Sequence, residues 1–163
     1  MPDPFSIREG AEADLEDSAA LACLAEPERS SREWIASLRR NLESPDQLLV
    51  VAESRGAIVG YGRARAFEPG PDAPADSAPG GYYLTGVFVL PEQRACGIAT
   101  ALTRARLDWI RERASAAWYF ANVRNTASIE LHRRFGFEEV SREFSFPRLR
   151  FEGGEGILFR LSL

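Results

Sequence analysis

From Trp34 to Leu42 the apolar residues Trp34, Ile35, Leu38 and Leu42 recur on one face at a helical spacing, and Ser44-Pro45-Asp46 stops the pattern. Residues 30–42 therefore read as an amphipathic helix. Ala11, Leu15, Ala19 and Ala22 make a similar stripe over 11–26, behind a short strand at 5–8. The period then changes. Residues 47–53 centre on a continuous apolar run, the mark of a buried strand, and Ser54-Arg55-Gly56 is a hairpin turn into a long strand over 57–67. Residues 82–90 read as the next strand. Residues 95–113 read as a helix that turns Ile98, Ala101, Leu102, Ala105 and Trp109 to the core and its arginine-rich remainder to water. A strand over 116–122, a helix over 125–135 and strands over 137–146 and 157–161 complete the order β-α-α-β-β-β-α-β-α-β-β.

Residues 68–81 interrupt this order with Pro69, Pro71, Pro74 and Pro79 beside Gly70, Gly80 and Gly81. Such a segment is a loop, one that hangs over a site or stays mobile. Too little chain lies on either side for two independent cores, so residues 1–163 are expected to form one domain.

Composition narrows the class without choosing the chemistry. With 45% hydrophobic and 27% charged residues, 163 residues suit one soluble core. No apolar run is long enough to span a bilayer, and Met1-Pro2-Asp3-Pro4 has neither a basic start nor a signal core, which makes the cytoplasm the expected location. Cys23 and Cys96 are far apart and the chain has a single His, which argues against a disulfide framework and against a metal site. The net charge is −4, unevenly spread: residues 1–90 hold 8 Arg against 15 acids, and residues 91–134 hold 8 Arg against 4. An anionic ligand held by the middle of the chain and a cationic one approaching acidic flanks would suit that distribution, and a merely solvated surface would look similar. Nucleic acid is not an expected partner of a chain that is acidic overall.

The middle segment holds the informative motif. Val87-Phe88-Val89-Leu90-Pro91 runs from a buried strand into Glu92-Gln93-Arg94-Ala95-Cys96-Gly97-Ile98-Ala99-Thr100, a small-residue turn that opens a helix. The first amides of a helix lack internal partners and sit at the positive end of its dipole, so they bind phosphate without dedicated side chains. Gly97 and Ala99 let oxygens approach the backbone, and Arg94 can add a full charge. A pyrophosphate cofactor is the expected ligand. The phosphate loop G-x-x-x-x-G-K-[ST] is absent and Gly56, Gly60 and Gly62 do not fit G-x-G-x-x-G, which disfavours ATP and NAD.

Arg94-Ala95-Cys96-Gly97-Ile98-Ala99 resembles the [QR]-x-x-G-x-[GA] acetyl-CoA loop of the GNAT N-acetyltransferase superfamily. A second segment, from Asn125 through His132 to Phe135-Gly136-Phe137, resembles that family's second motif, an Asn opening a helix that ends in Gly-Phe. The resemblance implies a mixed α/β sheet in which the strands over 82–90 and 116–122 splay, pantetheine lying in the gap against Val87, Phe88 and Val89. It implies acetyl-CoA as cosubstrate, its diphosphate on Arg94 and on the amides of Ala95, Cys96, Gly97, Ile98, Ala99 and Thr100, with Asn125 both capping its helix and facing the cofactor. It implies a bulge near Gly86 and an oxyanion donor at the backbone of Val87 or Phe88. His132 stands where the family commonly has a Tyr that protonates the departing thiolate, and an imidazolium can do the same. No acid lies within 82–90 to take the amine proton, which leaves Glu26, Glu28, Glu152 and Glu155 on flanking loops, with Tyr82 and Tyr83 as further candidates for the acceptor wall. The implied acceptor is a primary amine, a small polycation such as an aminoglycoside or a peptide or protein N-terminus. A homodimer is allowed for. The alternative reading is a non-catalytic acyl-CoA sensor, which would use the same turn without needing His132.

Overall fold

The computed structural model describes residues 1–151 and 153–163; Glu152 lies outside the described residues. The elements are β1 (Ser6–Glu9), α1 (Leu15–Ala25), α2 (Ser31–Glu43), β2 (Gln47–Ser54), β3 (Ala57–Phe67), β4 (Gly81–Val89), α3 (Ile98–Arg111), β5 (Ala116–Asn122), α4 (Thr126–Arg134), β6 (Glu138–Ser141) and β7 (Gly156–Ser162), with short 3-10 turns at Glu12–Asp14 and Pro91–Gln93. The order is the one expected from the sequence. The seven strands hydrogen-bond in the order β1-β2-β3-β4-β5-β7-β6. Their contacts divide the chain into two compact units, Met1–Arg65 with Thr85–Trp109, and Ala66–Leu84 with Ile110–Leu163, and the division falls inside β4 and inside α3.

In the first unit β1, β2 and β3 form an antiparallel meander, with an irregularity in β2 between Ala52 and Glu53. α1 and α2 place Leu15, Ala19, Ala22, Trp34 and Leu38 in a core shared with Leu49, Val51 and Tyr61. α2 starts where a capping box sets it: the Ser30 hydroxyl accepts the Glu33 amide at 3.2 Å and the Glu33 carboxylate accepts the Ser30 amide at 2.8 Å. The stripe at Ala11 does not continue as one helix. Asp14 draws the Ala11 amide onto its carboxylate at 2.8 Å, which tightens the first turn to 3-10 geometry before α1 begins.

α3 departs most from the sequence reading. Ile98 and Leu102 are buried as the spacing requires, but so are Thr103, Arg106, Leu107 and Ile110, whereas Ala101, Ala105 and Trp109 are only half-buried. The arginine side of the helix is therefore not a water face throughout. Arg106 is shut from solvent and hydrogen-bonded at every nitrogen. Its Nε donates to Leu102 O at 3.3 Å, Nη1 to Arg63 O at 3.2 Å and Thr85 O at 3.0 Å, and Nη2 to Thr103 Oγ1 at 3.0 Å. Gly62 makes the room, since a Cβ there would stand 3.0 Å from Arg106 Nε. Gly60 serves a second close approach, because a Cβ there would stand 2.9 Å from Phe88 O. These two glycines serve packing.

In the second unit β5 is the axis. It runs parallel to β4 over Tyr82–Ala117, Tyr83–Trp118 and Leu84–Tyr119, and antiparallel to β7 along its whole length. Tyr83, Phe67, Ala78 and Leu158 form a buried cluster against Trp118, Phe120, Phe144 and Phe146. The strand expected over 137–146 is cut to β6. Register against β7 shifts between Glu139 and Ser141, Val140 is left 52% exposed, and the following residues leave the sheet. They pair instead with the proline-rich segment: Ser145 bridges Ser77, the Ala78 amide donates to Ser145 O at 2.8 Å, and the Ser145 amide donates to Asp76 O at 2.9 Å. The loop over 68–80 is thus fastened.

Hydrogen bonds from Arg8 Nη1 at 2.7 Å and Nη2 at 2.9 Å, with the Ala11 amide, outweigh desolvation and hold the Asp14 carboxyl below the usual carboxylate range. A carboxyl depressed in the folded state contributes stability above its unfolded pKa, about 4, and that contribution is lost as pH falls through the depressed value. Asp14→Asn is expected to cost about 2 kcal/mol at neutral pH and to flatten the decline below pH about 4. Urea unfolding at pH 7 and pH 3 measures both, and parallel curves for the variant and the parent would exclude the linkage.

Candidate active site

The turn between β4 and α3 is longer than a helix start over 95–113 would allow. After the 3-10 turn Pro91–Gln93, Ala95 takes φ 60° and Gly97 φ 85°, and only then does α3 begin, with the Ala101 amide donating to Gly97 O at 3.0 Å. Left-handed residues at alternate positions are the backbone pattern that forms anion-binding concavities. Among the described residues the amides of Ala95–Thr100 donate to no other part of the chain. Three of them open α3 and stand at the positive end of its dipole. The space at Gly97 is open, since a Cβ there would meet nothing within 4 Å. Conformation, not crowding, requires glycine there.

Arg94 does not simply extend into solvent. Its Nε donates to Val89 O at 3.0 Å and its guanidinium carbon lies 5.6 Å from the centre of the Phe88 ring, which leaves the two Nη groups without a hydrogen bond among the described residues. The Cys96 thiol donates to Arg94 O at 3.4 Å and acts as a small polar turn residue. On β4 itself Val89 is buried, Val87 and Phe88 are half-buried, and Gly86 is exposed.

The second motif lies in the second unit. Asn125 is exposed and caps α4, its Oδ1 accepting the Ser128 amide at 3.4 Å. His132 is 1% exposed. Its Nδ1 lies 2.7 Å from Ser128 O, and a carbonyl only accepts, so Nδ1 carries hydrogen and any proton passed on leaves from Nε2. The ring stacks on Tyr119 at 3.5 Å and 4°, and meets Phe137 edge-on at 5.5 Å. The Tyr119 and Ser128 hydroxyls hydrogen-bond to each other. Sequence reasoning placed His132 but missed Tyr119 and Ser128 around it. The available signal was the alternation of β5, which turns Ala117, Tyr119 and Ala121 inward together.

The acceptor-wall candidates scatter. Glu26 and Glu28 are exposed beyond α1. Glu155 is engaged by Arg142 Nη1 at 3.1 Å, and Arg142 also holds Glu139 at 2.8 Å. Tyr83 is a packing residue, buried among aromatic rings with its hydroxyl donating to Pro79 O at 2.5 Å. Among the described residues no group of His, Cys, Asp or Glu could hold a metal ion, and no helix is long and apolar enough to cross a membrane.

The strands form a seven-stranded mixed sheet with four helices, and the fourth strand leads into the amide-rich turn. The profile of the acetyltransferase (GNAT) family matches residues 13–137, and the chain belongs to that family of N-acetyltransferases. It is 29% identical over 150 residues to aminoglycoside N(6')-acetyltransferase type 1 of Acinetobacter baumannii, covering 84% of this chain and 93% of that one. Among solved structures, AAC(6')-Iy in complex with the bisubstrate analog CoA-S-monomethyl-acetylneamine is similar at TM-score 0.74 and 26% identity, over 90% of this chain and 99% of that one. The ribosomal-protein-alanine N-acetyltransferase of Brucella melitensis is similar at TM-score 0.75 and 25% identity, over 97% and 99%.

Ala95 is left-handed without being glycine, a conformation that costs an L-residue about 1–2 kcal/mol. Ala95→Gly is expected to raise stability by about 0.5–1 kcal/mol, the rest being offset by the freedom glycine has when unfolded. Thermal unfolding checks this, and a lowered midpoint would show that the alanine side chain contributes more than its backbone costs.

Proposed function

We propose that the chain transfers an acetyl group from acetyl-CoA to a primary amine by direct attack in a ternary complex, with residues 1–163 acting as one domain. The observation that carries the reading is the turn over Ala95–Thr100, where six successive amides have no partner among the described residues and Gly97 borders open space at the start of α3. A diphosphate is the ligand such a surface suits, with the Nη groups of Arg94 adding charge at its edge. The backbone of Val87, Phe88 and Val89 would hold the pantetheine amides, and Asn125 would meet the cofactor from the start of α4.

The chemistry asks three things of the chain. The amine nitrogen attacks the thioester carbonyl carbon, and the amide of Val87 or Phe88 takes the negative charge that forms on oxygen; one such donor is worth roughly 3–4 kcal/mol in other enzymes. The C–S bond then breaks, and the thiolate receives a proton from His132 Nε2. The proton on the new amide nitrogen passes to water or to a flanking acid. The acceptor is a small polycationic amine or a peptide or protein N-terminus. Similarity to an aminoglycoside acetyltransferase and to a ribosomal-protein-alanine acetyltransferase supports both classes. Burial of His132 to 1% exposure favours a second role for that residue, packing between Tyr119 and Phe137.

Release of free thiol from acetyl-CoA across a panel of aminoglycosides, polyamines and N-terminal peptides is expected to find a turned-over amine. Tight binding of acetyl-CoA with no turnover on any amine would leave a sensor in place of an enzyme. Gly97→Val is expected to raise KM for acetyl-CoA at least about tenfold, because a β-branched residue cannot hold φ 85° without strain. An unchanged KM would move the diphosphate elsewhere. His132→Phe is expected to lower kcat about 100-fold and to remove the fall in rate with rising pH that deprotonation of a general acid produces. If kcat and the pH profile are both retained, His132 is a packing residue.

A further inference from the structure

The fastened loop over 68–80 encloses a cavity of about 400 Å³ that lies wholly in the second unit. Its floor is the pair Phe67 and Phe146, with ring centres 4.4 Å apart, and its walls include Pro69, Pro74, Pro147 and Ala73. Among the described residues that line it, Glu68 is the only ionisable one. The Glu68 carboxylate makes no hydrogen bond and no ion pair among the described residues. It lies against the Gly80 backbone, where a Cβ would come within 2.7 Å of Oε2. Residues 66–81 also carry Asp72 and Asp76 and no basic residue, and Arg148, close by in sequence, does not line the space.

We infer that this cavity is a binding site for an apolar monocation, a primary ammonium joined by a short chain to one aromatic or branched aliphatic group. The apolar body would sit on the Phe67 and Phe146 rings, and the ammonium would lie at the rim beside Glu68, where the rings add cation–π attraction. The walls are set beforehand. Prolines fix φ along the loop, and the Ser145 hydroxyl donates to Asp76 Oδ1 at 3.0 Å beside the two backbone bonds that join the segments. A ligand therefore binds without having to order the loop. A polycation lacks the apolar body that the floor requires. None of the residues lining the cavity is among those proposed for acetyl transfer.

Calorimetric titration of the whole protein without acetyl-CoA tests the assignment apart from turnover. Phenethylammonium is expected to bind saturably, 2-phenylethanol to bind about fivefold more weakly, and spermine not to displace either. Glu68→Gln is expected to weaken phenethylammonium about fivefold, as loss of an exposed ion pair does, while leaving 2-phenylethanol unchanged. Ala73→Trp is expected to fill the space and abolish both. Equal affinity of phenethylammonium for the parent and Glu68→Gln, undiminished binding to folded Ala73→Trp, displacement by spermine, or no saturable binding would each overturn the proposal.

Discussion

A positive charge sealed inside a protein must have every donor matched, and Arg106 imposes that condition on the first unit. Its guanidinium is reached by carbonyls from three directions: Leu102 on its own helix, Arg63 on β3 and Thr85 on β4. Removing any of them would strand a buried donor at a cost of roughly 1–3 kcal/mol. The arrangement therefore fixes where β4 runs as it approaches Val87. It also reaches the turn before α3. Thr103 accepts from Arg106 Nη2 and passes its own hydroxyl hydrogen to Ala99 O at 2.8 Å, so the first turn of α3 is held through a chain of bonds that begins at the guanidinium. Among the described residues the amides of Ala95–Thr100 are left without partners on that scaffold.

The order of elements and the strands over 57–67 and 116–122 were legible in the sequence, because each is bounded by turn chemistry and carries a clear period. Arg106 was not. A helix that carries Arg104, Arg106 and Arg111 outside its apolar stripe reads as solvated there, and nothing local shows that Gly62, over 40 residues earlier, leaves a slot for one of them. The start of α3 was misplaced for a related reason. Ala95 and Cys96 have no objection to a helix, and only the left-handed turn that Gly97 completes excludes them. The end of β6 was lost to tertiary pairing, since Ser145 finds its partner in the proline-rich loop.

Of the candidate site, the backbone turn was readable because Gly97 and its small neighbours break the chain between a strand and a helix. His132 was readable as a position but not as an environment. Its spacing from Asn125 put both on one helix face, yet the cap is exposed and the imidazole is enclosed. What decides its tautomer is the Ser128 carbonyl one turn earlier, and what holds its plane is the Tyr119 ring on β5. Neither constraint has a signature in a single helix. The flanking acids were the least readable, because their neighbours are set by long loops.

The strands that begin and end the order, β1 and β6, are each four residues long, and both carry charged side chains: Arg8 and Glu9 on one, Glu138 and Glu139 on the other. The kink that expels Val140 further spoils β6 as a template. Rows of backbone groups so brief and charged resist extension by a foreign strand, which is how open sheets avoid aggregating edge to edge. Two copies that meet would therefore have to join through helices or sheet faces, and a crowded solution of this enzyme has no ladder to grow.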